Sequence, residues 1–128
     1  MSNLENTVEP DAFLAICPSR DVIELLGEKW NMLIIVALEN GAMRFGVLQR
    51  KLDGISKKML TQSLRRLEDN GIVNRKLYDE MPLRVEYSLT LLGQDCLPII
   101  KLLKQWAEKN LHEIQKVKQT GPKNSAPV

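Results

Sequence analysis

The 128-residue chain is about one domain long, and its 44% apolar and 27% charged content is that of a folded protein, which argues against wholesale disorder. Its longest uninterrupted apolar run, Met32–Leu38, is far short of the roughly 18 residues a membrane span needs. The first fifteen residues carry carboxylates and no Lys or Arg, unlike a secretory leader, so a cytoplasmic location is expected. Cys17 and Cys96 are too few for a disulfide framework, and with His112 as the sole histidine they cannot complete a zinc site; no metal and no cofactor is expected.

In chain order, residues 1–16 mix acids, Asn, Thr and Pro without sustained periodicity and read as a flexible arm. Cys17-Pro18 opens a first helix that runs to Gly27, with Pro18 at the first helical position, where its missing N–H costs nothing. A second helix spans about Lys29–Asn40 and stops at Gly41. Arg44–Leu52 is a short amphipathic segment with Phe45, Leu48 and Leu52 on its apolar side. Asp53-Gly54 is a turn signal, Ser56 is an N-cap, and a helix follows from Lys57 to Asn70-Gly71. Two β-prone runs, Ile72–Tyr78 and Arg84–Leu89, flank a hairpin tip at 79–83. Thr90 caps a long last helix in which Pro98 predicts a kink or a division, and residues 119–128 read as a flexible tail. The result is a mainly α fold with a small β-hairpin.

The net charge of +2 is unevenly placed. Between Arg44 and Lys76 there are nine basic residues and three acids, a local balance of +6 in a chain otherwise at −4. Such a segment suits a polyanion, or is simply a solvated face. The helix at 57–70 separates these readings. At about 100° per residue, Lys58, Thr61, Gln62 and Arg65 share one face, and Leu60, Leu64 and Leu67 share the opposite one. Ammonium, guanidinium and amide groups side by side suit the donor and acceptor pattern of base edges, and a Thr methyl suits thymine. A short helix, a glycine turn and then this helix is the helix-turn-helix layout. Lys57 extends the basic face, and the Ser56 cap leaves first-turn amides facing a phosphate. Arg44 and Arg50 are candidate backbone contacts, and Arg84 beside the hairpin tip is the favoured residue to straddle a backbone or enter a minor groove, with Arg75 and Lys76 as lesser candidates and Asp79 and Glu80 opposing deep insertion.

Several pieces in fixed order then carry a resemblance: GEKW around Trp30, RF at Arg44-Phe45, GISKKMLTQSLRRLEDNG, and RVEYSLTLLG. Over Cys17–Trp106 the chain resembles the HxlR family of bacterial winged helix-turn-helix transcription regulators, relatives of the MarR group. The resemblance implies one winged helix-turn-helix domain over residues 17–118. It also implies a homodimer assembled through N- and C-terminal dimerisation helices, with two recognition helices and two wings on a palindromic double-stranded DNA operator. It places Lys57, Lys58, Thr61, Gln62 and Arg65 at the major groove and Arg84 in the wing. A dimer is also expected from the last helix, whose candidate interface residues are Leu97, Ile100, Leu103, Trp106 and Ala107; folding back on its own domain is the alternative.

Cys17, at an expected helix N-terminus with Arg20 nearby, is a candidate redox-sensing thiol, as the resemblance also implies for some members; packing beside Trp30 is the other reading. Cys96 reads first as core or interface packing, with an inter-subunit Cys17–Cys96 disulfide as a further possibility. The function expected is sequence-specific DNA binding, with no catalysis and no membrane partner. A winged-helix protein-interaction module without DNA binding is the alternative, and a thiol enzyme is disfavoured because no histidine stands near Cys17 in sequence.

Overall fold

The computed structural model describes residues 9–121; part of the expected arm and most of the expected tail lie outside them. The described chain forms six helices and one small antiparallel sheet: α1 Ser19–Gly27, α2 Lys29–Ala37, β1 Met43–Arg44, α3 Phe45–Lys51, α4 Lys57–Asp69, β2 Val73–Tyr78, β3 Arg84–Leu89, α5 Leu91–Lys109 and α6 Leu111–Thr120. Strand order is β1-β3-β2. Among the described residues no helix is long and apolar enough to cross a membrane.

The core lies where α2 crosses α4. Ile34, Ile35, Leu48, Leu60 and Leu67 are completely buried there, joined by Leu38, Leu64 and Val73. Helix α2 is apolar on nearly all sides because it is covered on nearly all sides, by α1, α3, α4 and α5. The Glu28 carboxylate caps it by accepting from the Asn31 amide at 3.0 Å. Asn31 is itself buried, and its side-chain amide donates to the Leu25 carbonyl at 2.9 Å, satisfying an acceptor in the last turn of α1. This polar tie between α1 and α2 has no periodicity to announce it.

Three expectations change. The two-stranded hairpin is a three-stranded sheet, because Met43 and Arg44 pair with Tyr87 and Glu86. Pro18 is the N-cap of α1 rather than its first residue. The last helix is not divided at Pro98, which lies inside α5 on an exposed face; the division comes at Asn110, whose side-chain amide bonds back to the Trp106 carbonyl at 2.9 Å. Proline removes one ladder hydrogen bond, and on an exposed face water replaces it.

Helix α5 has two apolar faces. Ile100, expected at a subunit interface, is buried in the chain's own core, and Leu97 packs against that core. Leu103, Trp106 and Ala107 are exposed, as are Ile99 and Leu102. The outward stripe is therefore Ile99, Leu102, Leu103 and Trp106, and it continues on α6 through Leu111, Ile114 and Val117.

Candidate nucleic-acid interface

Helix α3 ends at Lys51, and the chain turns through Gly54, whose φ of +90° is a conformation glycine adopts without a Cβ penalty. Buried Ile55 anchors the turn, with its amide bonded to the Leu52 carbonyl at 3.1 Å. Ser56 then caps α4, its hydroxyl accepting from the Met59 amide at 3.0 Å. That leaves the amides of Lys57 and Lys58 without acceptors inside the helix, at the positive end of its dipole.

Leu60, Leu64 and Leu67 bury one side of α4, and Lys57, Lys58, Thr61, Gln62 and Arg65 are exposed on the other. The Thr61 hydroxyl donates to the Lys57 carbonyl at 2.8 Å, so this residue offers outward its methyl group and an oxygen lone pair. Arg44 caps the N-terminus of α3 with its backbone, and Arg50 lies in the last turn of α3; both are exposed. Among the described residues none of these cations forms an ion pair; of the four ion pairs two lie in the hairpin, one lies within α5, and one joins α5 to Glu39 after α2.

Arg84, the expected wing residue, opens β3, and its side chain is engaged within the hairpin. Its guanidinium lies 3.2 Å from Glu80 and 3.4 Å from Glu86, and stacks on the Tyr78 ring at 3.8 Å. A cation held between two carboxylates and a ring braces the hairpin. Lys76 sits over the same ring at 4.9 Å. The sequence carries the signal: Glu86 follows Arg84 by two, the spacing of one strand face. The tip residue Met81 is 98% exposed.

The thiol of Cys17 lies just before α1. Its Sγ is 3.0 Å from the Ser19 hydroxyl and accepts from the Asp11 amide at 3.3 Å. Hydrogen bonds from Ser19, side chain then backbone, and from the Asp11 backbone hold its pKa below the ordinary thiol value. Sequence reasoning looked to the free amides of the helix N-terminus, with Arg20 as an added charge, and named neither Ser19 nor Asp11; the Arg20 guanidinium bonds the Ala12 and Phe13 carbonyls at 3.1 and 2.9 Å. Cys96 is the opposite case: half-buried against the core, its Sγ–H donates to the Gly93 carbonyl at 3.3 Å, and burial raises its pKa. Among the described residues no group of three or more His, Cys, Asp or Glu is placed to hold a metal ion.

Residues 25–115 match the family model described as HxlR-like helix-turn-helix. The chain belongs to this family. It is 44% identical over 110 residues to the HTH-type transcriptional regulator YtfH of Escherichia coli, covering 86% of this chain and 87% of that one. Among solved structures it superposes on the transcriptional regulator ytfH from Salmonella typhimurium with a TM-score of 0.81 at 42% identity, covering 87% and 99% of the two chains. The redox regulator HypR in its oxidized form gives a TM-score of 0.69 at 38% identity, with 73% of this chain and 97% of that one covered. The fold is thus a winged helix-turn-helix of the MarR-like kind, in which α3, the turn at Gly54 and α4 form the helix-turn-helix and β2–β3 the wing, and the protein is an HTH-type transcriptional regulator.

Proposed function

We propose that this HxlR-family regulator acts as a homodimer that reads a palindromic duplex-DNA operator through two copies of α4. The reading rests on the outward face of α4, where Lys58, Thr61, Gln62 and Arg65 stand exposed on a helix whose opposite side is buried leucine. The uncovered stripe of Ile99, Leu102 and Trp106, at 70%, 66% and 59% exposure, supports a twofold mate, since isolated chains rarely leave so continuous an apolar surface in water. The test is selection of duplexes from a random-sequence pool, followed by binding to the enriched duplex. The wild type enriches a palindrome, and the double variant Lys58→Glu, Arg65→Glu loses it. Full regulatory activity in that double variant would refute DNA reading and favour a protein-interaction module.

We further propose that Cys17 makes the regulator responsive to oxidants or electrophiles. Its lowered pKa supplies thiolate, the attacking form of sulfur, and the similarity to HypR supports the assignment. A peroxide would take two electrons from the thiolate to give a sulfenic acid, and the thiol of Cys96 of a second subunit can then displace water to close a disulfide. Non-reducing gels after mild oxidant test this: a crosslinked dimer, lost in Cys17→Ser, supports the staple, and a monomer band at every oxidant dose rejects it.

A further inference from the structure

Between α4 and the wing lies a small polar cleft lined by Thr61, Leu64, Arg65 and Glu68 of α4, Arg75 of β2 and Tyr87 of β3. Two independent placements bring the arginines together. On α4, at about 100° per residue with Lys58 at 0°, Thr61, Arg65 and Glu68 fall near −60°, −20° and −80°, the flank turned toward the hairpin, while Gln62 falls near +40°. On the hairpin, Arg75 is the cross-strand partner of Tyr87, and it shares a strand face with buried Val73. The bracing group of Arg84, Glu86, Lys76 and Tyr78 occupies the other face. Neither Arg65 nor Arg75 is in an ion pair among the described residues.

We infer that this cleft is a clamp for one backbone phosphate of bound duplex, gripped by Arg65 from the helix and Arg75 from the wing. Two guanidiniums against the single carboxylate of Glu68 leave one net positive charge, equal and opposite to one phosphodiester. Guanidinium forks match phosphate oxygens bidentately. A strand leaving the groove that α4 fills passes between helix and hairpin, so a phosphate held there fixes the angle at which α4 enters. Arg65 thereby becomes a positioning residue, and base reading falls to Lys58 and Gln62. The inference rests on the reading of α4 as the groove-entering helix.

The experiment uses the full chain, the duplexes that the wild type retains from a random-sequence pool, and a random-sequence duplex. Arg65→Gln and Arg75→Gln should each weaken binding to both kinds of duplex by the same factor, on the order of tenfold per half-site. Each should lower the slope of log K against log salt by about 0.9 per half-site. The double variant should lower that slope no further, because both arginines hold the same phosphate. The base preferences selected by each variant should match the wild type, and Arg75→Lys, which keeps charge without the fork, should fall between wild type and Arg75→Gln. An unchanged slope in Arg75→Gln, an altered base preference in Arg65→Gln, or a doubled slope loss in the double variant would each overturn the clamp. Failure of the wild type to retain any duplex would strike the reading of α4 itself, and the wild type alone reveals it.

Discussion

Gly93→Ala sets two effects of opposite sign against each other at the junction of wing and α5. Gly93 is buried in the first turn of α5, where its amide donates to the Thr90 hydroxyl at 3.0 Å. A methyl group there would collide with the Ile72 carbonyl oxygen and crowd Leu89 Cδ2 at 3.2 Å. That carbonyl cannot retreat freely, because it accepts the Thr90 amide at 3.0 Å, while the Thr90 hydroxyl is held close by at the Gly71 carbonyl. Alanine raises helix propensity by up to about 1 kcal/mol. Overpacking against backbone costs roughly 1–3 kcal/mol, and a weakened Thr90–Ile72 hydrogen bond costs about 1 more. The net expectation is a destabilisation of about 1–3 kcal/mol, a fall in Tm of roughly 4–12 °C for a domain of this size. Thermal unfolding of variant and wild type at equal protein concentration measures it, concentration being held because a dimer's Tm depends on it. A Tm equal to or above the wild type would mean that helix propensity outweighs the clash, and would refute the close approach of Gly93 to Ile72.

Replacing Lys58 or Gln62 with Ala should relax base preference at defined operator positions, while Arg44→Ala and Arg50→Ala should weaken all duplexes alike; competition binding against single-base operator variants separates the two patterns. Alkylation with iodoacetamide should modify Cys17 faster than Cys96 at neutral pH, with a half-maximal rate below the ordinary thiol pKa, and Ser19→Ala should move that midpoint upward. Folded Cys17 gives up its proton before the unfolded chain does, so its contribution to stability rises with pH between the two pKa values and is lost as pH falls through the folded one. The Cys96 contribution runs the other way, falling as pH rises past the ordinary thiol value; urea titrations of Cys17→Ser and Cys96→Ser across this window resolve the two signs. Leu102→Glu should shift the protein to monomer in sedimentation velocity, since a charge is placed on a leucine 66% exposed in the isolated chain; an unchanged dimer mass would move the interface elsewhere.

The helices, the Ser56 cap and the leucine-backed face of α4 were legible in the sequence because each leaves a local signature: a period of 3.6, a capping residue, a glycine at a turn. What stayed hidden depends on how segments fold against one another, whether near or far in the chain. Strand β1 is two residues long and exists only through Tyr87 and Glu86, so no window of sequence displays it. Ile100 and Leu102 are equally apolar and two positions apart; only the placement of α2 decides that the first is core and the second surface. Arg84 stands out in the sequence by its place beside the hairpin tip, but its engagement with Glu80, Glu86 and the Tyr78 ring shows only once β2 and β3 are paired. The partners of the Cys17 thiol lie on either side of it, at Asp11 and Ser19, in a turn whose shape also depends on Arg20 reaching back to two carbonyls.

The position of that turn limits how a change at Cys17 can reach α4. The turn leads into α1, which is largely exposed and joins α2 through Leu25, Leu26 and the Asn31–Leu25 hydrogen bond. Helix α2 is buried against α4 through Ile34 and Ile35, each with no exposed surface. A close-packed helix pair has few alternative arrangements and moves as one body. Modifying the Cys17 sulfur would change the acceptor of the Asp11 amide and the contact with Ser19, both in the segment that carries Phe13 and Ile16, 94% and 90% exposed, and neither contact involves α2 or α4. Those apolar residues, with Val22 and Ile23 of α1, lie on surface that a second subunit can cover. A signal at Cys17 would therefore act on the spacing and angle between the two α4 helices of a dimer, leaving each α4 fixed within its own subunit. For a palindrome that is sufficient, because half-site separation is set by the distance between recognition helices.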